Sequence, residues 1–312
     1  MSPRSLMIEL VTMGTILKEI IKFPEKTIGP VLGSPAAYSS VAAARLGVKT
    51  GIITKIGTDM PQELLQPFLE AGVDLRGLHV ENVTTTNLLV YHEDGTKEII
   101  YLKQASPILP SDIPEEYMKA DIVHICPMNY EVPISTVKFL KEQGLTLSTD
   151  VAGYGGAASI EHPANNPERA TLFEELIGLF DIVKASLEDC VHIFGARSDL
   201  KDYAMRRIIE LGARIAIITL GKDGAVGMDE TGAVYEIPPY PVKVVDPTGA
   251  GDVFCAGFLA EFIRSGDWRK SMISGSVTAS FVIEKSGGVL PSRMPTIEDV
   301  RERIKHYMKY IR

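Results

Sequence analysis

Along most of this 312-residue chain, segments with the hydrophobic pattern of a buried strand alternate with segments that have the pattern of an amphipathic helix. Short, nearly continuous apolar runs such as "GIITKIG" and "ARIAIITLG" have the length of buried strands, whereas "PISTVKFLKEQG" and "DLKDYAMRRIIELG" space their apolar residues as amphipathic helices do. Buried strands that alternate with helices form a mostly parallel sheet covered by helices on both faces. The pattern therefore predicts a three-layer α/β fold, in one domain that spans 1–312.

Two segments depart from this alternation of strand and helix. The stretch "TTTNLLVYHEDGTKEIIYLK" is typical of two strands joined at Asp94-Gly95, a dipeptide that favours tight hairpins. The stretch "TILKEIIKFPEKTIG" also alternates and lacks a helix cap. We predict that about 15–31 and 84–103 form a small separate β-sheet, which covers a cleft as a lid.

Composition and charge limit the classes of partner that we expect the protein to bind and the compartment in which we expect it. The chain has 32 Lys and Arg against 40 Asp and Glu, a net charge of −8, which argues against a nucleic-acid or acidic-membrane surface. No uncharged apolar stretch approaches the length of a membrane span, and the N-terminus resembles a first buried strand. Three cysteines without a CxxC pair favour a reducing compartment. We expect a cytoplasmic protein with no membrane or nucleic-acid partner.

The most informative chemical pattern is "VVDPTGAGDVF", residues 244–254. A valine-rich run precedes it and apolar residues at helical spacing follow it, so it predicts a strand, a glycine turn and a helix start. Bare N–H groups and the helix dipole make such a start a phosphate site. Asp252 would repel that anion unless it takes part in chemistry. The alternative is an aspartate that only caps the helix, and the complete motif favours the functional interpretation.

This stretch resembles the second signature of the ribokinase-like carbohydrate kinases, the PfkB family, which is Asp-x-x-Gly-Ala-Gly-Asp. The resemblance implies a ribokinase-like body with a β-sheet lid, and an enzyme that transfers phosphate from ATP to a hydroxyl group. It implies that Asp252 is the base that accepts the hydroxyl proton. It also implies that Gly249, Ala250 and Gly251 form an anion hole for the transferring group.

Other stretches resemble the family's nucleotide-binding residues. In "TLGKDGA", Thr219, Gly221 and Gly224 match a loop over the nucleotide phosphates, and the resemblance also places Ser276 near the adenine. The segment Ser186-Leu187-Glu188-Asp189 stands where the family has Asn-x-x-Glu, which implies Ser186 at the nucleotide and Asp189 near magnesium. The expected cofactors are therefore ATP and Mg²⁺.

A further cofactor is implied by two residues of the second signature. Asp246 and Thr248 match positions that hold a monovalent cation in many family members, where the ion orders the anion hole. The resemblance therefore implies a potassium ion at these two residues.

The substrate residues depart from the family pattern. In "GSPAAYSSVAAARLG", which resembles the first signature, Gly33 keeps the first glycine, Ser34 replaces the second and Tyr38 replaces an asparagine that contacts sugar hydroxyls. Glu19 takes the place of an aspartate on the first lid strand. Tyr38 offers a flat face that could stack on a ring. All four residues are predicted to contact the substrate.

These departures favour a small neutral substrate. The stretches "DVAGYGGAA" and "GSPAAYSS" carry no arginine that could bind a substrate phosphate. Together with "HICP", they resemble the inositol-kinase-like branch, so a cyclitol such as myo-inositol is favoured over a nucleoside. A phosphosugar stays open because Lys18, Lys103 and Arg76 could reach the cleft.

Two other classes of function also stay open. "GYGGAA" fits a dinucleotide fingerprint and would indicate an NAD(P)-dependent oxidoreductase, although Pro163 follows where a helix should begin, which favours a loop. A sugar-binding protein without catalysis would keep the fold but has no need of Asp252. His124 and Cys126 could share a strand face as metal ligands, but no second pair has zinc spacing. An exposed lid edge could also pair two copies as a homodimer.

Overall fold

The computed structural model describes residues 7–92 and 97–310. The strands are β1 Leu10–Met13, β2 Leu17–Lys22, β3 Thr27–Gly33, β4 Thr50–Gly57, β5 Asp74–Glu81, β6 Thr86–Tyr91, β7 Lys97–Lys103, β8 Ile122–Ile125, β9 Thr146–Asp150, β10 Ile182–Ser186, β11 Ile215–Thr219, β12 Ala225–Asp229 and β13 Val234–Ile237. The helices are α1 Pro35–Arg45, α2 Gln66–Ala71, α3 Ile134–Glu142, α4 Pro167–Ile177, α5 Leu187–Phe194, α6 Leu200–Glu210, α7 Ala250–Ser265, α8 Trp268–Val282 and α9 Ile297–Tyr310.

Nine strands form the main sheet, in the order β13-β12-β11-β10-β9-β8-β1-β4-β5. The strands from β5 to β11 in this order pair in parallel, and β12 pairs antiparallel with both β11 and β13 at one edge. The helical segments that lie between successive parallel strands are the connections such pairing requires. The mostly parallel α/β sheet expected from the apolar runs is confirmed.

Two hydrophobic cores lie on opposite faces of this sheet. Strand β11 shows the division, since Ile215 and Ile217 belong to one core and Ala216 and Ile218 to the other. Helices α1, α2, α7, α8 and α9 cover the first core, and α3, α4, α5 and α6 cover the second. Because every strand of the centre is buried on both faces, the body has the three layers that the sequence predicted.

A second sheet has four strands in the order β3-β2-β6-β7. Strands β2 and β6 pair in parallel in its middle, and β3 and β7 pair antiparallel with them at the edges. The small separate sheet expected from the alternating segments is therefore present. The predicted Asp94-Gly95 turn lies outside the described residues.

The topology brings polar residues together at one edge of the main sheet. Strands β9, β10 and β11 are neighbours and parallel, and they end at Asp150, Ser186 and Thr219. Ligands of open α/β sheets bind at the carboxyl ends of such strands. Helix α7 begins beside this edge, where Gly251 lies next to Lys184 of β10, and the cleft described below lies there.

The "GYGGAA" segment does not have the geometry of a dinucleotide site. After β9, residues 151–153 form a short 3-10 turn, a loop follows, and the next α-helix starts only at Pro167. A dinucleotide fingerprint needs a tight turn directly into a helix whose N-terminus binds the pyrophosphate. The loop interpretation is therefore the correct one, and the oxidoreductase alternative loses its basis.

Within residues 7–92 and 97–310, none of the helices combines the length and the hydropathy that a bilayer crossing requires.

Candidate active site

The glycine motif forms a turn that leads directly into helix α7. Gly249 is the N-cap residue with φ of 81°, a left-handed conformation that glycine adopts without strain, and the helix starts at Ala250. The Thr248 N–H donates to Asp246 Oδ1 at 3.0 Å, and the Val253 N–H donates to the Gly249 carbonyl at 2.9 Å. The turn and the helix start predicted from the motif are present, whereas the predicted strand is not, because residues 238–247 form a loop.

The backbone of this turn is packed too closely for side chains. A Cβ atom on Gly249 would lie 2.4 Å from Cε1 of Tyr38, and one on Gly251 would lie 2.8 Å from Nζ of Lys184. The Ala250 N–H donates to the Pro247 carbonyl at 3.1 Å, whereas the Gly251 N–H has no partner among the residues that the structure describes. A bare N–H at the positive end of a 16-residue helix is suited to bind an anion.

Two cavities meet at this helix start. One, of about 350 Å³, extends from Ala250 and Gly251 along strands β10 and β11 to Ala279 of α8 and to Ile283, the residue that caps this helix. The other, of about 230 Å³, lies under the four-stranded sheet and contains Gly249 and Asp252 in its wall. Three residues line both cavities: Lys184, Ser186 and Glu188.

The structure distributes the predicted site residues between these cavities. The larger one is lined by Thr219, Gly221, Gly224, Ser186, Ser276, Ala250 and Gly251. The smaller one is lined by Glu19, Ser34, Tyr38, Ser186, Asp189, Thr248, Gly249 and Asp252. Gly33 ends strand β3 beside Ser34 and lines neither cavity, and Asp246 lines a neighbouring cavity with Glu19 and Tyr38. The nucleotide group and the substrate group of the sequence prediction thus fall on opposite sides of the α7 start.

Asp252 stands at the border on the side of the smaller cavity. It is the third residue of α7, and its carbonyl oxygen accepts a hydrogen bond from Ser39 Oγ of α1 at 3.1 Å. That bond holds the first turn of α7 against α1. The carboxylate is therefore fixed on a rigid helix in the wall of a cavity, rather than on a loop.

A buried ion pair lies next to the anion-binding turn. Lys184 Nζ of β10 is 2.7 Å from Asp150 Oδ2 of β9, and both side chains are nearly inaccessible. Burial raises the pKa of Asp150. For Lys184, burial favours the neutral amine, but the charge of Asp150 outweighs it and the pKa stays above its ordinary value. The amine is protonated, and it presents a positive charge to both cavities.

Lys184 was not identified from the sequence, although one signal was present. It interrupts the apolar run "FDIVKAS" two residues before the strand ends. A lysine in a strand buried on both faces must have a partner or a function, since an isolated buried charge is very costly. Its pairing with Asp150 could not be predicted, because β9 and β10 become neighbours only in the folded sheet.

Tyr38 packs against the glycine turn. Its side chain is 3% exposed, its ring lies against Gly249, and its hydroxyl accepts a hydrogen bond from Arg293 Nη1 at 3.2 Å. Burial raises the pKa of this hydroxyl well above its ordinary value, so it stays neutral. One face of the ring is thus covered by the glycine turn, while the residue still lines the smaller cavity, so contact between Tyr38 and a substrate stays a prediction.

Asp189 uses its carboxylate to cap a helix. Its Oδ2 accepts hydrogen bonds from the Ser186 N–H and Oγ, and its Oδ1 accepts one from the Ala157 N–H. Ser186 in turn caps the Asp189 N–H, which makes the pair a capping box at the start of α5. With its carboxylate used in this way, Asp189 has a structural role, and its place near magnesium stays a prediction. The neighbouring acid, Glu188, is exposed and lines both cavities.

The residues that were expected to bind a monovalent cation contact an arginine instead. Arg293 Nη2 donates to the Thr248 carbonyl at 3.4 Å and lies 3.6 Å from Asp246 Oδ2. The donor set implied for a potassium ion is thus shared with a side-chain cation, and a second cation does not fit there. Nothing in the sequence around Arg293 points to this contact.

Ser34 adopts a backbone conformation that is normally reserved for glycine. Its φ of 114° and ψ of 154° lie outside the regions accessible to other residues without strain. Its side chain caps α1 by accepting a hydrogen bond from the Ala37 N–H at 3.2 Å. The serine that stands in place of the family's second glycine therefore has a glycine-type backbone, and this strained residue lines the smaller cavity.

The three basic residues that kept a phosphosugar open are engaged elsewhere. Lys18 and Lys103 lie 2.7 Å and 3.5 Å from Asp59 Oδ2, and the hydrogen bond from Lys18 holds the pKa of Asp59 well below its ordinary value. Arg76 pairs with Asp74 at 2.7 Å. None of the three basic residues lines the smaller cavity.

His124 and Cys126 do not form a metal site. His124 shares a hydrogen bond with Ser148 Oγ at 3.1 Å, and burial lowers its pKa to about 3, so the ring is neutral. Cys126 is buried and free. Across residues 7–92 and 97–310, no cluster of three or more His, Cys, Asp or Glu is placed to hold a metal ion.

The cleft thus has the parts that phosphoryl transfer needs, namely an anion-binding helix start between two cavities and an acid at their border. A model of the pfkB family of carbohydrate kinases matches residues 20–296. The chain belongs to the PfkB family. It is therefore a phosphotransferase that acts on hydroxyl groups, with the ribokinase fold.

Individual relatives show how widely the family resemblance extends. A cytidine kinase from Thermococcus kodakarensis is 32% identical over 286 residues, which cover 90% of this chain and 98% of that enzyme. A ribokinase from Arabidopsis thaliana, solved with ribose and ATP, superposes with a TM-score of 0.79 at 20% identity over 96% of this chain and 99% of its own. A pyrophosphate-dependent kinase solved with a pyrophosphate analog and myo-inositol gives 0.74 at 22% identity, over 94% of this chain and 99% of its own.

Gly251→Ala tests the contact between the helix start and Lys184. The new methyl group would meet Nζ at 2.8 Å and displace the amine from Asp150. We expect kcat to fall by about 10- to 100-fold, together with a loss of thermal stability, because the buried Lys184–Asp150 ion pair is disturbed. The control is Gly144→Ala, a position with φ of 78° and no atom near its Cβ, which should cost stability and leave kcat unchanged. Equal kcat values for both variants would contradict the contact.

Ser34→Gly tests the strain at the first signature. Glycine adopts this conformation freely, which should recover about 1–3 kcal/mol, while the loss of the serine cap costs only a few tenths of a kcal/mol. We expect the melting temperature to rise by about 2–4 °C. Ser40→Gly in the same helix is the control and should lower it. A decrease for both variants would show that Ser34 is not strained.

Proposed function

We propose that the protein is an ATP-dependent kinase that phosphorylates a hydroxyl group of a small neutral polyhydroxylated molecule. One observation carries the proposal: the bare start of α7 separates two cavities, with Asp252 on one side and Lys184 lining both. ATP would occupy the larger cavity and the acceptor the smaller one. Phosphate would then pass from one to the other across the helix start.

The proposed reaction uses groups that the fold already holds in place. Asp252 accepts the proton of the acceptor hydroxyl, whose oxygen forms a bond to the γ-phosphorus while the bond from that phosphorus to the β-phosphate oxygen breaks. Negative charge grows on the phosphoryl oxygens, where the Gly251 N–H and the Lys184 amine stabilise it. Because Lys184 is already paired with Asp150, it needs little reorganisation when this charge develops.

The larger cavity suits a nucleotide at both of its ends. Thr219, Gly221 and Gly224 lie near the helix start, where phosphates would bind, and the far end is apolar, with Tyr240, Ala279 and Ile283. Magnesium fits this arrangement as the counter-ion of ATP, held largely by phosphates and water, with Glu188 as the acid exposed to both cavities. When bound, it would neutralise charge on the phosphates.

Electrostatics favour a neutral acceptor. The side chains of five acids and one base line the smaller cavity: Glu19, Asp150, Glu188, Asp189, Asp252 and Lys184. Because acids outnumber the single lysine, which is itself paired with Asp150, a substrate phosphate would meet a wall of net negative charge. A neutral molecule has no such penalty, and the carboxylates can accept hydrogen bonds from its hydroxyl groups.

Two neutral acceptors stand out. The cytidine kinase at 32% identity supports a nucleoside. The kinase solved with myo-inositol supports a cyclitol, the acceptor that the sequence favoured, although at 22% identity it supports it only through the fold. One face of the Tyr38 ring is covered by Gly249, and stacking on this ring would serve a nucleoside base as well as a cyclitol, so Tyr38 does not decide between them. We therefore place a nucleoside first and a cyclitol second.

Location in the cytoplasm and a homodimer formed through the lid remain predictions. Edge strands β3 and β7 of the small sheet carry the exposed residues Ile28, Ile100 and Leu102, and such edges can pair with a second copy.

Asp252→Asn tests the proposed base. The amide keeps the size of the side chain but cannot accept the proton, so kcat should fall by about 10²- to 10⁴-fold. ATP affinity, measured by calorimetry, should change little. Asp267→Asn is the matched control, because Asp267 also begins a helix and caps it through the Arg269 and Lys270 N–H groups, away from both cavities. A kcat near the wild-type value for Asp252→Asn would remove the proposed role.

A coupled ADP-release screen tests the class of acceptor. It should cover nucleosides, cyclitols, free sugars and phosphosugars, with Asp252→Asn as the blank for background ATP hydrolysis. We expect a neutral compound to have a kcat/KM at least about tenfold above every phosphosugar, since one uncompensated charge contact costs at least 1.4 kcal/mol. A phosphosugar that ranks first would contradict the neutral-acceptor proposal.

A further inference from the structure

A fully buried arginine lies directly behind the anion-binding turn. Arg293 ends a short 3-10 turn at residues 291–293, between α8 and α9, and its side chain is 2% exposed. A guanidinium group removed from water is costly unless it has several hydrogen-bond acceptors or a counter-charge. The contacts of this side chain are therefore not incidental to the fold.

Five oxygen atoms surround the guanidinium group. Nη1 donates to the Gly288 carbonyl at 2.9 Å and to the Tyr38 hydroxyl at 3.2 Å. Nη2 donates to the Val282 carbonyl at 3.0 Å and to the Thr248 carbonyl at 3.4 Å. The carboxylate of Asp246 lies 3.6 Å from Nη2.

This set of acceptors is the kind that a hard metal cation binds. Three carbonyls, a hydroxyl and a carboxylate converge on one point from four separate segments of the chain. Here the planar guanidinium occupies that point, and its N–H groups already use the oxygen lone pairs. A potassium ion would need the same oxygens and would be repelled by the arginine charge. The residues therefore do not fit the monovalent cation implied by the resemblance.

The guanidinium also controls the geometry of the turn. It holds the Thr248 carbonyl, the residue just before the Gly249 cap, and the Tyr38 ring against which Gly249 packs. The direction of the N–H groups at the start of α7 depends on both contacts. Asp246, whose carboxylate accepts the Thr248 N–H, is held near the same side chain.

We propose that Arg293 is a positioning residue that replaces the monovalent cation, so that the anion-binding turn is ordered without potassium. This rests on the proposed kinase function for its catalytic consequence, but its structural part does not. Phosphoryl transfer then proceeds at the same rate whichever monovalent salt is present. The turn then needs no external ion, because a side chain of the protein supplies the positive charge.

The first test compares salts on the wild-type enzyme. Turnover of the best acceptor is measured in potassium, sodium and tetramethylammonium chloride at equal ionic strength, with ATP as its tetramethylammonium salt. We expect the three kcat values to agree within about twofold, because the cation position is already filled. A larger stimulation by potassium overturns the proposal.

The second test removes the Arg293 side chain and supplies a free cation in its place. Arg293→Ala should lower kcat by at least about tenfold, with a smaller change in the KM for ATP, and about 50 mM guanidinium or potassium should recover several-fold of it. Arg264→Ala is the control: it removes an exposed arginine that donates to the Leu46 carbonyl, away from both cavities. It should lose stability but neither lose kcat nor respond to guanidinium. A kcat for Arg293→Ala that neither falls nor recovers overturns the proposal.

A third measurement does not depend on any substrate. The melting temperature of the wild-type protein should be the same in potassium and in tetramethylammonium chloride, whereas that of Arg293→Ala should be higher in potassium. If Arg293→Ala does not fold, Arg293→Lys keeps a charge at the position and should fold, with a reduced kcat and no response to potassium. If the screen finds no acceptor, the kinase proposal fails, while the melting comparison still decides the role of Arg293. Equal melting of Arg293→Ala in both salts, or a potassium response of Arg293→Lys, overturns the replacement.

Discussion

The arrangement of the cleft depends on a backbone turn that has room for no side chain. Gly249 lies against the ring of Tyr38, and Gly251 lies against the amine of Lys184, so the first turn of α7 is held between a helix of one core and a strand of the main sheet. A side chain at either glycine would separate these elements. Because of this close packing, the bare N–H groups, the acid at Asp252 and the lysine of β10 all lie within one small region.

Buried charge supports this turn from two sides. Lys184 is paired with Asp150 on the sheet side, and Arg293 is held by carbonyls, Tyr38 and Asp246 on the side of the first core. To remove one member of such a buried group commonly costs about 3–5 kcal/mol, because the other member is left unpaired. The region therefore combines a fixed geometry with a positive potential at the point where phosphate would bind, and neither depends on mobile surface side chains.

The sequence predicted the parts of the site that are local in the chain. The alternation of apolar runs predicted the sheet and the lid, and "VVDPTGAGDVF" predicted a helix that begins directly after a glycine turn. It did not predict contacts between distant segments. Tyr38 seemed suited to substrate because its position follows a family motif, but the fold turns its ring toward Gly249. Asp189 was assigned to magnesium, although its spacing from Ser186 is equally that of a capping box. The roles of Lys184 and Arg293 depend on hydrogen-bond partners that are 34 and 255 residues away in the chain, and such contacts cannot be derived from a local pattern.

The 255-residue separation between Tyr38 and Arg293 affects the stage of synthesis at which the phosphate-binding turn can become ordered. The hydrogen bond from Arg293 to Tyr38 joins positions at opposite ends of the chain, and the contacts of Arg293 with Val282 and Gly288 also lie in the C-terminal tenth. A ribosome delivers the α7 turn before it delivers the arginine that fixes it. The nascent chain can therefore build its sheet and lid while the phosphate-binding turn is still loose. A truncated product that lacks the last twenty residues would lose Arg293 and with it the contacts that order the turn, so that incomplete copies would turn over slowly.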